Sequence, residues 1–433
     1  MNIKIKDIGK KLSTSALFKD SFWAVFGNGL GHFLLLLAGI IIARFLGKDI
    51  YGEYGVVKTT MFHIASFATL GLGFTATRFV ARYKDTNEPL LKGSIYASVV
   101  ITAISSAVLC ILLFVFATPL ANYLDEPRLS TPFRFLGIII LAKALCTTTG
   151  AILGGTKNFK AVGINNIISG VSMLAMGASF TYVWGLNGSL VALLTSQVIL
   201  CVLNFISINK NTLSRLRHIE NNVQYRPLLK FTFPVALQEL SYTLAQWGAV
   251  LLITKYCSLG EVGLYSAAAQ WNAIILFMPS LLANVVLSYL SGSETVKQQK
   301  KILKLMLLVN FLATLVPFIV VYLLSGFITS FYGSTFVGMK DVMNILVFST
   351  IFDCMSKVFQ SNMISEGKNW TLFTLRTIRD ISLLFVTYII LSSTSGDNGA
   401  IHYAWICLSV CAGYFLLMLV EYVITHRTNR IRA

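Results

Sequence analysis

Twelve apolar runs, each close to the length of a bilayer-spanning helix, take up most of this chain and limit its architecture before any motif is considered. They lie approximately at Phe22 to Phe45, Tyr54 to Phe79, Ile95 to Leu120, Phe133 to Leu153, Ala161 to Trp184 and Leu190 to Ile208. A second six follow at Leu228 to Tyr256, Gly263 to Tyr289, Ile302 to Ile328, Val342 to Ser365, Leu372 to Leu391 and Ile401 to Ile424. A helix of about 20 mainly apolar residues crosses the hydrocarbon core of a membrane. Of the 433 residues, 55% are hydrophobic and 12% charged, and mean hydropathy is +0.72, whereas a soluble domain carries about a quarter charged residues. The expected fold class is therefore an all-α integral membrane protein with about twelve transmembrane helices.

A formal net charge of +17 would suit a nucleic-acid binder if it were clustered on a soluble surface, but here it alternates between loops. One side holds Lys4, Lys6, Lys10, Lys11 and Lys19, then Arg82, Lys84 and Lys92, then Lys157 and Lys160, then Lys210, Arg215, Arg217, Arg226 and Lys230. It continues with Lys297, Lys300, Lys301 and Lys304, then Lys368, and ends at Arg427, Arg430 and Arg432. The other side has little beyond Lys48, Arg128, Lys255 and Lys340. The excess of cations marks the cytoplasmic side, so both termini are expected there, which an even span count allows. Anionic membrane lipids are the expected partners of these basic loops, and no nucleic acid is. The first twenty residues, basic with Ile5, Ile8 and Leu12 at helical spacing, suit a cytoplasmic surface helix, and no cleavage-type site follows them. Six of the seven cysteines (110, 146, 201, 354, 407 and 411) fall inside apolar runs, so neither a disulfide framework nor a metal cluster is implied.

The stretch from Arg44 to Gly55 interrupts the first two runs. Gly47, Gly52 and Gly55 suit a tight reversal, and Tyr51 and Tyr54 suit rings at a membrane surface. Gly263 and Tyr265 answer Gly52 and Tyr54 at an offset of 211 positions (263 − 52), and Lys368-Asn369 answers Lys157-Asn158 at the same offset. Two matches at one offset indicate an internal duplication. The basic link 209–226 joins the halves, giving an N-terminal lobe at 1–208 and a C-terminal lobe at 227–433. An even number of spans precedes the link, so the repeats are parallel, related by an axis along the membrane normal. Outer loops are too short for a domain, which puts any chemistry within the membrane.

Spans one, two, seven and eight carry Gly27, Gly29, Gly31, Gly71, Gly73, Pro234 and Pro279. Such residues permit bending during alternating access, and they are also simply common in membrane helices. A charge near the bilayer centre costs about 2.5 to 3.5 kcal/mol on insertion scales, so each one retained is a candidate site. The cations are Lys58, Arg78, Lys143, Lys357, Arg376 and Arg379, against Glu239, Asp353 and Asp380. Asp353 with Lys357, and Arg376 with Asp380, are four apart and suited to pair on one helix face. Lys58 and Arg78 lie near span ends and can snorkel. Lys143, ten residues into the fourth span and with no acid within a turn, is the leading candidate for a cavity cation, and Arg379 is next. Asn28 and His32 share a face of the first span, and Gln238, Glu239, Tyr242, Thr243 and Gln246 share one of the seventh. These stripes fit a polar lumen wall, with Glu239 or His32 as a proton or cation site, or interhelical hydrogen bonding. Gln270, Trp271 and Asn272 fit a sugar-stacking wall or plain packing. No phosphate-binding loop, nucleotide fingerprint, metalloprotease motif or nucleophile triad stands out, so neither an enzyme nor a cofactor is expected.

Arg44, Leu46-Gly47 and Tyr51-Gly52-Glu53-Tyr54, followed by Leu70-Gly71-Leu72-Gly73 and Arg78-Phe79-Val80-Ala81, resemble the polysaccharide-repeat-unit (Wzx-type) flippases. These belong to the multidrug/oligosaccharidyl-lipid/polysaccharide exporter superfamily, and the Gly-Lys-Asn echoes before spans five and eleven are similar to theirs. The resemblance implies two six-helix lobes that move an undecaprenyl-diphosphate-linked oligosaccharide from the cytoplasmic to the outer leaflet of a bacterial inner membrane. The product would feed O-antigen, capsule or exopolysaccharide synthesis, with other polysaccharide assembly proteins as partners. It also implies a cationic lumen for the anionic headgroup. Only Arg44, Gly47, Gly52, Tyr54, Arg78 and Arg82 match the family's motifs position by position. Two alternatives remain: a cation-coupled multidrug exporter, which the absence of a carboxylate from the first helix disfavours, and a scaffold with no transport of its own.

Overall fold

A computed structural model describes residues 23–69, 72–215, 225–291, 296–394 and 398–432. The described residues form α1 (Asn28–Ala68), α2 (Leu72–Tyr83), α3 (Glu88–Tyr123), α4 (Ser130–Gly155), α5 (Phe159–Asn211), α6 (Tyr225–Tyr256), α7 (Leu259–Ser291), α8 (Val296–Ser330), α9 (Met339–Ser365), α10 (Asn369–Ser393) and α11 (Gly399–Arg432). A single π-helical turn, Trp23–Gly27, leads into α1.

At 41 and 53 residues, α1 and α5 are about twice the length one crossing needs. Each is interrupted once, at a glycine. Gly47 takes φ +70, ψ 169, and Gly185 takes φ +56, ψ −131, conformations that side chains with a Cβ rarely adopt. Each of these two helices is therefore long enough for two spans, and counting α3, α4 and α6 to α11 as one each, the helices among the described residues accommodate the twelve expected. The second apolar run, expected as one helix from Tyr54 to Phe79, is instead divided between α1 and α2; Leu70 and Gly71 lie outside the described residues. Gly47→Ala is expected to cost about 1–3 kcal/mol by forcing an L residue into this region, read as a lowered thermal midpoint in detergent. Gly154→Ala, where an added methyl meets nothing within 4 Å, should not lower it.

The two Lys-Asn echoes, at 157–158 and 368–369, are helix hairpins. In the first, Lys157 adopts φ +58 and Asn158 Oδ1 accepts from Ala161 N at 3.3 Å, which starts α5. In the second, Gly367 takes φ +76, and Lys368 reaches across the helix ends. Its Nζ lies 2.8 Å from Glu366 and 3.1 Å from Glu421 and donates to Thr425 at 3.0 Å, tying α9, α10 and α11 together. Burial alone would push the Lys368 ammonium down; the Glu366 and Glu421 carboxylates outweigh it and hold the group above its usual value.

The chain forms two compact units, one of residues 1–42 with 57–243 and one of 43–56 with 244–433. In the first, Val80, Leu91, Ile95, Ile152, Leu153 and Ile208 bring α2 to α5 together at one end. In the second, Leu303, Phe359, Met363, Leu372, Tyr414 and Met418 do the same for α8 to α11. The proposed joint 209–226 is described only in part, since 216–224 lie outside the described residues.

Segment 43–56 differs from its sequence expectation in two ways. Gly47 alone makes the reversal. Gly52 and Gly55 sit in helical backbone and serve close packing: a Cβ on Gly52 would overlap the Leu259 carbonyl and lie 3.2 Å from Gly263 N, and one on Gly55 would overlap Ser266 Oγ. The tyrosines are not surface rings either. Tyr51 and Tyr54 are each 1% exposed, and their centroids are 5.6 Å apart. Tyr51 also packs edge-on against Phe336 and accepts from Gln270 Nε2 at 2.6 Å. A buried phenol needs such a partner.

Candidate functional site

In the first unit, membrane-spanning segments of α1, α4 and α5 place several candidate residues together. The Asn166 amide on α5 donates to Asn28 Oδ1 on α1. One turn along α1, exposed His32 lies within electrostatic reach of Lys143 on α4. Lys143 is half-buried, and among the described residues no carboxylate lies within ion-pair distance of it. An ammonium kept in an apolar helix without a counter-ion is costly, and its position within reach of an exposed imidazole suits an anionic ligand. Lys58, on the second half of α1, is half-buried, and Arg78 on α2 is exposed.

Behind this face lies a polar layer that charge-based sequence reasoning passed over. Asn165 Nδ2 donates to Asn204 Oδ1 at 2.9 Å and to Ser207 Oγ at 3.2 Å, and Asn204 Nδ2 donates to Thr149 Oγ1 at 3.2 Å. Thr102 and Thr148 share a hydrogen bond of 2.8 Å, and Cys146 Sγ donates to the Gln197 carbonyl. These are buried interhelical bonds that hold α3, α4 and α5 together. Two asparagines 39 residues apart inside apolar runs were the available signal.

In the second unit the candidate charges lie on α9 and α10. Asp353 and Lys357 pair at 2.8 Å as their spacing predicts. The other expected couple does not form. Asp380 pairs with its chain neighbour Arg379, whose Nη2 is 2.7 Å from Oδ1 and whose Nε is 2.9 Å away, a fork geometry that a lysine cannot supply. Arg376 turns instead to Gln360 on α9, with Nε 3.1 Å from Oε1. The Arg379 guanidinium also lies 4.9 Å from the centroid of the Tyr414 ring on α11. Three cations and two carboxylates thus share this cluster, leaving one positive charge in excess. Arg379, second among the cavity cations expected, is neutralised, and Arg376 carries the excess into its contact with Gln360.

The polar residues of α7 have inward partners. Trp271 Nε1 donates to Tyr332 Oη at 3.0 Å and Asn272 Nδ2 to the Leu346 carbonyl at 3.0 Å. With Gln270 held by Tyr51, the donors of all three serve packing in this conformation. Gln246 on α6 is half-buried, and Arg44 is exposed at the start of the reversal. Gln238 and Glu239 lie outside the described side chains.

The sequence profile of the polysaccharide biosynthesis protein family matches residues 17–291. A Shigella flexneri protein described as an O-antigen transporter is 22% identical over 362 residues, 82% of this chain and 86% of that one. The succinoglycan biosynthesis transport protein ExoT of Rhizobium meliloti is 22% identical over 254 residues, 58% of this chain and 49% of its own. Among solved structures, an inward-facing multidrug resistance transporter of the MATE family, in the MOP superfamily, aligns over 92% of this chain and 96% of its own with a TM-score of 0.75 at 14% identity. The lipid II flippase MurJ aligns over 92% of this chain and 87% of its own with a TM-score of 0.71 at 16% identity. The two structural likenesses show that the chain shares their all-helical fold.

Proposed function

The chain belongs to the family of polysaccharide biosynthesis proteins, and on that premise we propose that it is a transporter of the MOP superfamily that flips a lipid-linked oligosaccharide. Its substrate is an undecaprenyl-diphosphate-linked repeat unit, carried from the cytoplasmic to the outer leaflet of a bacterial inner membrane for surface polysaccharide synthesis. Lobes 1–208 and 227–433 rock about the link 209–226, both termini stay cytoplasmic, and the lipid tail remains in the bilayer while the headgroup crosses. The observation that carries this reading is Lys143, a half-buried cation on a spanning helix within reach of His32 and without a carboxylate partner among the described residues. A diphosphate supplies the missing negative charge. Lys58 and Arg78, in the same unit, are further cations for the headgroup, and Asn28 and His32 are its polar surroundings. Glu239, His32 and Asp353 are candidate groups for ion coupling.

The test is reconstitution in liposomes, following a fluorescent polyprenyl-diphosphate oligosaccharide beside a cationic drug. Two charges about 4 Å apart interact by about 4 kcal/mol at intermediate dielectric. Lys143→Glu is therefore expected to slow flipping by at least about tenfold, with Lys143→Arg close to wild type and both variants inserting normally. Movement of the drug alone makes the chain a drug exporter. Movement of neither makes it a scaffold.

A further inference from the structure

A cleft of about 720 Å³ opens in the second unit between the C-terminal part of α8 and the first turns of α9 and α11. It lies at the end of α9 opposite the Lys368 network. Its walls include Leu323, Phe327, Ile345 and Ile401, with Tyr322 and Trp405 at the sides. Leu323 is 74% exposed and Trp405 53%. The apolar wall continues along α8 through exposed Leu312, Val316, Ile319 and Val320, the kind of surface that meets lipid chains, while Tyr and Trp at a helix end mark headgroup depth. Lys340 and Asp341 line the same cleft, both exposed, and among the described residues neither is ion-paired.

A ligand for this site must therefore be apolar at one end and carry both signs of charge at the other. The volume suits a drug-sized group, enough for a phospholipid head and the first parts of its chains, and too little for a lipid-linked oligosaccharide. We propose that the cleft binds a zwitterionic glycerophospholipid. The phosphate pairs with Lys340, the ammonium with Asp341, and the chains run over Leu323 and Phe327. The site is separate from the candidate cations of the first unit and does not depend on what the protein transports.

The test uses the full chain, delipidated in detergent, then offered phosphatidylethanolamine and phosphatidylglycerol in equal amounts, with bound lipid counted by native mass spectrometry. Wild type should retain phosphatidylethanolamine over phosphatidylglycerol by about fivefold, the scale of one exposed ion pair. Asp341→Lys makes both charges positive and should invert that preference. Lys300→Glu, on the far end of α8, should leave it unchanged. A phosphatidylethanolamine with brominated chains should quench wild-type tryptophan fluorescence more than that of Trp405→Phe. Equal retention of the two lipids, an unchanged preference in Asp341→Lys, or quenching indifferent to Trp405 would overturn the proposal.

Discussion

Gly52→Leu should yield no monodisperse folded protein, while Gly413→Ala, where an added methyl meets nothing within 4 Å, should purify like wild type. Overpacked cores usually lose about 1–3 kcal/mol because neighbouring side chains shift to make room. At Gly52 the obstacle is backbone, since a Cβ there overlaps the Leu259 carbonyl oxygen and closes on Gly263 N. No rotamer relieves that, so the segment must leave α7, exposing Tyr51 and Tyr54 and breaking the Gln270 bond. The expected loss is well beyond the usual range. The contact is reciprocal: a Cβ on Gly263 would overlap the Lys48 carbonyl oxygen, and Leu259 stands to Lys48 as Gly263 stands to Gly52 in the sequence echo. Gly263→Leu should therefore fail as Gly52→Leu does. Size-exclusion profiles and thermal midpoints of the three variants decide the matter; a folded Gly52→Leu protein would mean that α7 and segment 43–56 do not pack this closely.

This self-related contact also explains which parts of the fold were legible beforehand. Span count and repeat offset were readable because burial in lipid demands long apolar runs and duplication preserves spacing. The role of Gly52 was not, because a glycine that turns the chain and one that admits another backbone are the same letter. Gly47 turns the chain at φ +70, whereas Gly52 is helical and faces Leu259 and Gly263 from more than 200 positions away. Tyr51 and Tyr54 were misplaced for the same reason: an amphipathic ring suits an interface or a buried hydrogen bond equally well, and Gln270 selected the second. The candidate cations were found because charge stands out in apolar sequence, and the Asn165–Asn204 layer was not, because uncharged amides do not.

The ion pairs of α10 make the separate point that spacing ranks partners by helix geometry while the fold ranks them by desolvation. Arg379 and Asp380 are adjacent in sequence, yet they pair because their side chains, 13% and 6% exposed, have no water to serve them. Arg379→Met should therefore be strongly destabilising. Breaking a buried pair leaves the remaining charge uncompensated, at about 3–5 kcal/mol. Arg376 can replace the lost partner only by leaving Gln360. Arg379→Met combined with Asp380→Leu removes both charges and should restore most of the thermal midpoint, because a buried pair replaced by apolar side chains of similar volume is often neutral or better. The double variant then separates two roles for Arg379. If the guanidinium only neutralises Asp380, flipping in liposomes returns with stability. If it also meets the headgroup, the double variant is as stable as wild type and still loses transport, and the excess charge now assigned to Arg376 belongs to both arginines.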